Sequence, residues 1–181
     1  MNEGLIPRRY AKALYKVALE KGVDRRVYEL MKTLSESFAT NPGLQTAIAN
    51  PFVEMTDKRK LIMTASGAGN DDTLVSDFVK LLERNRRIEF IRDIATAYVE
   101  IFREKHGIYL VHVDTASEMT AADAERLRNL ISRHLGEGAT MEYSTSVVPE
   151  LIGGFRVSVG NERLDASIAH ELNLLKQKLI N

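Results

Sequence analysis

Through most of the first 105 residues, hydrophobic side chains recur every three or four positions, which is the period of an amphipathic helix. Six such stretches can be distinguished, and Gly22, Asn41-Pro42-Gly43 and Asn50-Pro51 are among the turn-forming residues between them. Helices joined by such short breaks are expected to pack as a compact bundle. The predicted helices lie at about residues 5–21, 24–39, 44–48, 56–62, 74–82 and 87–105.

The pattern changes after His106-Gly107, where an alternation of two residues replaces the helical period. Residues 108–114 are mostly β-branched or aromatic and are predicted to form a strand, and residues 140–148 and 155–159 are predicted to form two more. Thr120 and Asp123 have the spacing of a capping box, which opens a helix between the first two strands.

A further helix is predicted at the end of the chain. Asp165 and Ser167 are both suitable N-cap residues for this helix, and the residues alone do not decide between them. Its hydrophobic stripe consists of Ile168, Leu172, Leu175 and Leu179. The predicted order of the second half is therefore β-α-β-β-α.

This change of pattern divides the chain into two predicted domains, and the fold class is predicted to be α+β. Residues 1–105 are predicted to form a six-helix bundle and contain 18 basic and 15 acidic side chains, a net charge of +3. Residues 106–181 are predicted to form the small β-α-β-β-α domain and contain 7 basic and 10 acidic side chains, a net charge of −3. Because so small a domain has a thin core, we expect it to depend on a partner or on the first domain for support.

The amino-acid composition excludes several kinds of site and several classes of protein. The sequence contains no cysteine, which excludes disulfides, zinc–thiolate sites and thiol nucleophiles. The net charge of zero disfavours a strongly basic nucleic-acid-binding protein, and no apolar run approaches the roughly 20 residues of a membrane-spanning helix. A hydrophobic fraction of 44% and a charged fraction of 28% are typical of a soluble, folded protein.

No motif in the sequence predicts a catalytic, cofactor-binding or metal-binding site. The segment 67–72 begins like a dinucleotide-binding loop, but it lacks the third glycine and follows a helix instead of a strand. Gly153-Gly154 is not followed by the Lys-Ser/Thr pair of a phosphate-binding loop and is interpreted as a turn. The four histidines, which show neither metal-binding nor catalytic spacing, are His106, His112, His134 and His170.

The first helix is the best candidate for a binding surface, because it combines a basic face with a hydrophobic stripe. Such a stripe either faces the core or forms, with a neighbouring helix, a groove that receives an amphipathic helix of a partner, and the residues leave both interpretations open. An alternative function is that of a nucleic-acid-binding regulatory protein that uses this basic helix. Two other basic clusters, Lys58-Arg59-Lys60 and Arg84-Arg86-Arg87, are flanked by acids and contain no aromatic residues.

Three stretches of the sequence resemble the delta subunit of bacterial F-type ATP synthase, which is equivalent to the mitochondrial oligomycin-sensitivity-conferring subunit. RRYAKALYKVA at residues 8–18 is similar to the first helix of that family, and LLERNRRIEFI at residues 81–91 is similar to the junction between its fifth and sixth helices. The most specific of the three is ELIGGFRVSVGNERLDASI at residues 150–168, which resembles the C-terminal signature of the family.

The resemblance implies a stator subunit that has no active site and no cofactor. In that family the N-terminal domain binds the amphipathic N-terminal helix of an alpha subunit of the catalytic head, and the C-terminal domain binds the b subunits of the peripheral stalk. One copy per complex would hold the head still while the rotor turns, so that torque is coupled to ATP synthesis or ion pumping. The implied location is the cytoplasmic face of the bacterial cell membrane, as a peripheral component of the complex.

The resemblance also implies which residues bind the partners. The alpha-subunit groove would lie between the first and fifth helices, and would contain Tyr10, Ala13, Leu14, Val17, Leu74, Phe78 and Leu81. The last three of these residues are assigned from the periodicity of the fifth helix. For the b subunits the candidates are the terminal helix and the Gly153-Gly154 turn. The signature residues Gly153, Gly154, Phe155 and Asp165 are expected to have structural roles in a turn and a strand.

Overall fold

The computed structural model describes residues 5–136, 140–160 and 162–180, and the side chain of Leu179 in the predicted stripe lies outside its described part. The chain forms two compact units, Met1–Arg103 and Glu104–Asn181. Helices make up the first unit, and a four-stranded mixed sheet with two helices makes up the second. The predicted α+β class is confirmed.

Six α-helices follow one another from Leu5 to His106, and short breaks separate them. Gly67 ends the fourth helix in the left-handed conformation, at a φ of 69°, and so allows the chain to turn directly after Ser66. A single 3-10 turn, Ile88–Phe90, precedes the sixth helix. The helices are α1 (Leu5–Glu20), α2 (Asp24–Thr40), α3 (Pro42–Ala49), α4 (Met55–Ser66), α5 (Thr73–Arg84) and α6 (Ile91–His106).

Aromatic contacts between α2 and α6 anchor the core of the first unit. The rings of Tyr28 and Phe102 stack with their centroids 4.2 Å apart. Tyr98 is fully buried, its hydroxyl donates a hydrogen bond of 3.2 Å to the carbonyl of Asp24, and burial raises the pKa of this hydroxyl. On α1 the buried positions include Ala11 and Ala18, whose small side chains allow this helix to lie close to the others.

The sheet of the second unit has the strand order β2-β1-β3-β4, in which β1 is parallel to β2 and all other pairs are antiparallel. The predicted order β-α-β-β-α was wrong because it lacked the fourth strand. That strand is mostly polar, and it forms by pairing with β3, where Val157 lies opposite Leu164. The elements of this unit are β1 (Ile108–Thr115), α7 (Ala121–Leu135), β2 (Thr140–Val147), β3 (Gly154–Val159), β4 (Glu162–Ser167) and α8 (Ile168–Ile180).

The hydrophobic core of the second unit lies between one face of the sheet and α7. Val111, Val113 and Val157 from the sheet pack against Leu127 and Ile131 of the helix. The N-cap half of the predicted capping box at the start of α7 is confirmed, since the Thr120 hydroxyl accepts the N–H of Asp123 at 3.2 Å; the Asp123 carboxylate accepts the Thr120 hydroxyl at 2.7 Å. Alternate residues of β1 point away from this core, and they carry the polar network described below.

The signature segment brings the start of β3 close to β4 and α8. Gly154 has a φ of +73°, and a Cβ atom placed on it would lie 2.2 Å from the carbonyl oxygen of Ala166. A Cβ atom on Gly153 would lie 2.5 Å from Cδ1 of Ile168. Phe155, the next residue of β3, lies opposite Ala166 in the sheet. Only glycine fits at position 154 without displacing main chain.

Two signature residues near the end of β4 start the last helix. Asp165 lies within β4, and its Oδ1 accepts hydrogen bonds from the N–H of Ser167 at 3.1 Å and from its hydroxyl at 2.6 Å. The hydroxyl of Ser167 in turn accepts the N–H of His170 at 3.2 Å. Ser167 is therefore the N-cap residue of α8, and these bonds from Ser167 lower the pKa of Asp165.

We expect Gly154→Ala to destabilise the second unit by more than about 2 kcal/mol. The alanine would have to adopt a left-handed backbone conformation, and its Cβ atom would collide with the carbonyl oxygen of Ala166. Gly160→Ala is a matched control, since Gly160 also has a positive φ but has no atom within 4 Å of the added carbon. Hydrogen exchange of β3 and β4 amides in the full-length protein measures both effects. Equal protection in the two variants would contradict the predicted close contact.

Candidate functional site

An open groove of about 900 Å³ runs between α1 and α5. The ring of Tyr10 meets the ring of Phe78 edge to face at 6.4 Å, and Asn85 Nδ2 donates a hydrogen bond of 3.1 Å to the Tyr10 hydroxyl. The start of α1 therefore lies beside the end of α5. All seven residues that were predicted for the groove line it: Tyr10, Ala13, Leu14, Val17, Leu74, Phe78 and Leu81.

The lining residues differ in depth. Leu14 and Phe78, which are 3% and 6% exposed, form the floor, whereas Val17 and Leu81, which are 37% and 44% exposed, stand along the walls. The α1 stripe therefore contributes both to the core and to an open groove, because its deepest residue is buried and its outer residues remain open to solvent. A continuous apolar surface of this kind on a folded protein is typical of an interaction site.

Charged side chains edge the groove, and most of them are basic. Arg9, Arg84 and Arg87 line it at the end where Tyr10 lies; we refer to these three residues as the arginine rim. Lys80 also lines the groove, but its ammonium group lies 2.9 Å from the carboxylate of Asp77. The sequence pattern placed Arg84 and Arg87 in a basic cluster and did not connect them with the groove, whereas Arg9 belongs to the basic face of the first helix. The spacing could have indicated that Arg84 lies at the groove, since it follows Leu81 by about one helical turn.

The basic cluster on α4 does not form an exposed patch. Lys58 is buried, and Arg59 forms an ion pair with Glu83 of α5. The ammonium group of Lys60 lies 3.4 Å from the carboxylate of Asp57. The Arg59–Glu83 pair joins α4 to α5 and so supports the helix that forms one wall of the groove.

The segment 67–72, which was weighed as a dinucleotide-binding loop, connects α4 to α5 and is organised around Asp72. The carboxylate of Asp72 accepts the N–H of Gly69 at 2.8 Å and two hydrogen bonds from Arg26, at 2.9 and 3.0 Å. The Arg26 guanidinium lowers the pKa of this carboxyl group. Gly69 and Arg26 of α2 thus satisfy the carboxylate of Asp72, and the segment is a loop between two helices.

A polar network lies on the face of the sheet opposite α7, and sequence reasoning missed it. Ser146 Oγ donates a hydrogen bond of 2.5 Å to Asp114 Oδ1, and Arg156 Nε donates one of 2.8 Å to Oδ2. His112 Nε2 lies 3.0 Å from Asp114 Oδ1, and His112 Nδ1 lies 2.8 Å from Ser144 Oγ. We call this set of five residues the Asp114 network. The available signal was the spacing of His112 and Asp114, which places both on one face of a strand.

The Asp114 network is a structural feature of the sheet. Hydrogen bonds from Ser146, with those from Arg156, lower the pKa of Asp114 to about 2, so that the carboxylate stays charged and paired at neutral pH. The network joins β1, β2 and β3, because each of these strands contributes at least one member. Within residues 5–136, 140–160 and 162–180, no group of His, Asp and Glu could hold a metal ion.

An open groove lined mainly by apolar side chains is typical of a protein that binds other proteins, and similarity to known proteins identifies the family. The family described as "ATP synthase delta (OSCP) subunit" matches residues 6–179. The "ATP synthase subunit delta" of Parabacteroides distasonis is 38% identical over 99% of this chain and 98% of its own length. That of Bacteroides thetaiotaomicron is 37% identical over 100% and 97% of the two chains. The chain belongs to the ATP synthase delta (OSCP) subunit family.

It is accordingly a delta-type subunit of F-type ATP synthase, a structural component of the peripheral stalk and not an enzyme. A chain in the cryo-EM structure of the Toxoplasma gondii mitochondrial ATP synthase hexamer shares the fold, with a TM-score of 0.71, 18% identity and 97% coverage of both chains. None of these comparisons supports the nucleic-acid-binding alternative. No helix in the described part of the chain has the length and hydrophobicity needed to cross a membrane.

Proposed function

We propose that the groove between α1 and α5 binds the amphipathic N-terminal helix of an ATP synthase alpha subunit. The observation that carries this proposal is that the seven residues assigned from the family resemblance and the helical period line one open groove. A docked amphipathic helix buries a row of apolar side chains, and each contributes roughly 1.5–3 kcal/mol before the entropy of ordering is subtracted. The first unit would thus attach the subunit to the catalytic head.

The second unit would bind the b subunits of the peripheral stalk, and α8 is the surface that supports this assignment. Four of its apolar side chains are substantially exposed: Ile168, Leu172, Leu174 and Leu175. Leu164 on the neighbouring edge strand β4 is exposed as well. The b subunit would pack on this surface, whereas Gly153 and Gly154 allow the close approach of β3 to β4 and α8.

Together the two units would form a link between the head and the stalk. One copy in the complex, on the cytoplasmic face of the bacterial membrane, would resist the torque that the rotor exerts on the head. In this role the two surfaces act in series, so that loss of either one uncouples rotation from ATP synthesis or ion pumping.

The proposal predicts that head and b subunits co-purify with the tagged full-length chain from solubilised membranes. We expect Leu175→Asp to reduce recovery of the b subunits by about tenfold or more while head subunits are still recovered, because a charge is placed in an apolar contact. Leu130→Asp on α7 is the control, since Leu130 is exposed but lies outside α8. Equal recovery of the b subunits with both variants would contradict the role of α8, and absence of all ATP synthase subunits would contradict the proposed function.

A further inference from the structure

The groove between α1 and α5 is not electrically uniform along its length. At the end where Tyr10 lies, the arginine rim contributes three positive charges. At the opposite end Leu74 also lines an adjoining cavity of about 350 Å³. The charged residues of that cavity balance, because Lys21 and Arg26 are matched by Asp71 and Asp72. One end of the groove is therefore basic and the other is neutral.

The charges of the arginine rim are available to a ligand. In the portion of the chain that is described, none of the three arginines forms a salt bridge. Asp77 is the single carboxylate among the described residues that line the groove, and it is paired with Lys80. The guanidinium of Arg87 lies 5.7 Å from the ring centroid of Phe90, which holds it beside the groove without neutralising it.

The length of the groove sets the size of the helix that it can receive. The α1 residues that line it run from Ile6 to Val17, which corresponds to about 16 Å along a helix axis. A ligand helix of about 11 residues, or three turns, covers this distance. Carboxylates in the terminal turn of such a helix would then lie within reach of the arginine rim. In the reverse direction the same carboxylates would lie at the neutral end, where Lys21 and Arg26 are already matched by Asp71 and Asp72 and no net positive charge attracts them.

We propose that the arginine rim selects an acidic amphipathic helix and fixes its direction in the groove, with the carboxylates over Arg9, Arg84 and Arg87. This inference rests on the proposed function of the groove as a helix-binding site. Guanidinium groups suit this task because they present a planar pair of donors to a carboxylate. Charges at the edge of an interface act mainly on the association rate and on orientation, whereas buried apolar anchors act mainly on the dissociation rate.

The test uses the full-length protein and two synthetic amphipathic helices with identical apolar anchors. The acidic probe has three glutamates in its last turn, and the neutral probe has glutamines at the same positions. At low salt we expect the acidic probe to associate about tenfold faster than the neutral probe, and we expect half-molar salt to remove the difference. The triple variant Arg9→Gln, Arg84→Gln, Arg87→Gln is expected to remove it as well, while the dissociation rate of the neutral probe changes less than about threefold.

A matched control distinguishes the effect of the arginine rim from the effect of the overall charge of the protein. The triple variant Lys12→Gln, Arg25→Gln, Arg92→Gln removes the same charge from exposed positions that do not line the groove. We expect it to retain the preference for the acidic probe. If it loses the preference as fully as the rim variant does, the proposal is overturned, because a general field would then account for the selection.

The direction of the bound helix is tested independently. A nitroxide label at the acidic end of the probe is expected to broaden the amide signals of residues 84–87, and broadening at Leu74 and Val17 instead would overturn the proposal. The results also distinguish selection by the arginine rim from helix binding by the groove. If the neutral probe binds and Leu81→Asp prevents this, but the rim has no effect, the groove keeps its proposed function and the selection by charge is wrong. If neither probe nor an alpha-subunit peptide binds, the proposed function itself fails.

Discussion

Leu81→Asp is expected to weaken the binding of an alpha-subunit N-terminal peptide about 100-fold while the protein remains folded. Leu81 stands on the wall of the groove and is 44% exposed, so the unbound protein tolerates a charge there. In the complex the aspartate would lose the apolar contact, roughly 1.5–3 kcal/mol, and its carboxylate would lose water. Titration calorimetry with the full-length protein measures the affinity, and circular dichroism checks the fold.

Two further variants define what the result means. Leu19→Asp is the control, since Leu19 is exposed on α1 but does not line the groove. This variant should bind the peptide with the affinity of the wild type. Leu14→Asp should unfold the first unit instead, because Leu14 forms the floor and is only 3% exposed. Wild-type affinity in a folded Leu81→Asp variant would show that the peptide binds elsewhere.

Arg156→Met is expected to destabilise the second unit by about 3 kcal/mol, because Asp114 would remain buried without its cationic partner. Arg163→Met, at an exposed position of β4, removes the same charge and should have little effect. Hydrogen exchange of β1 and β3 amides localises the change to the sheet. Similar protection in both variants would contradict a stabilising role for the Asp114 network.

The same network predicts how stability depends on pH. The pKa of Asp114 is lower in the folded state, about 2, than in an unfolded chain, where it is about 4. Its contribution is therefore fully present above about pH 4 and is lost as the pH falls towards 2, because the unfolded state binds the proton more readily. Asp114→Asn lacks this dependence. If the stabilities of wild type and variant fall in parallel between pH 5 and pH 2, the assigned pKa shift is wrong.

The helices of the first unit could be predicted because burial and helical period agree along them. The stripe of α1 is an example, since Tyr10, Leu14 and Val17 lie on one face in the sequence pattern and in the structure. The pattern could not distinguish the buried Leu14 from the exposed Val17 and Leu81. Depth depends on how far α1 and α5 stand apart, and residues distant in the sequence fix that separation.

The fourth strand and the Asp114 network escaped prediction for a common reason. Both depend on pairing between strands. The periodicity of the sequence indicates which segments form a helix or a strand, but it does not indicate which strands pair. Glu162–Ser167 has little intrinsic strand character and is held by β3, while Arg156 reaches Asp114 because the two lie opposite each other in the sheet. Strand propensity depends strongly on such context.

The strand order of the sheet has a consequence for the synthesis of the chain. The central strand β1 leaves the ribosome first, and its neighbours β2 and β3 follow only after α7 has been made. Until then the apolar stretch from Ile108 to Val113 has two open edges, which is the condition under which strands of different chains associate. The helices of the first unit depend on more local contacts and can form earlier. A nascent chain that stalls between α7 and β2 would therefore be prone to aggregation.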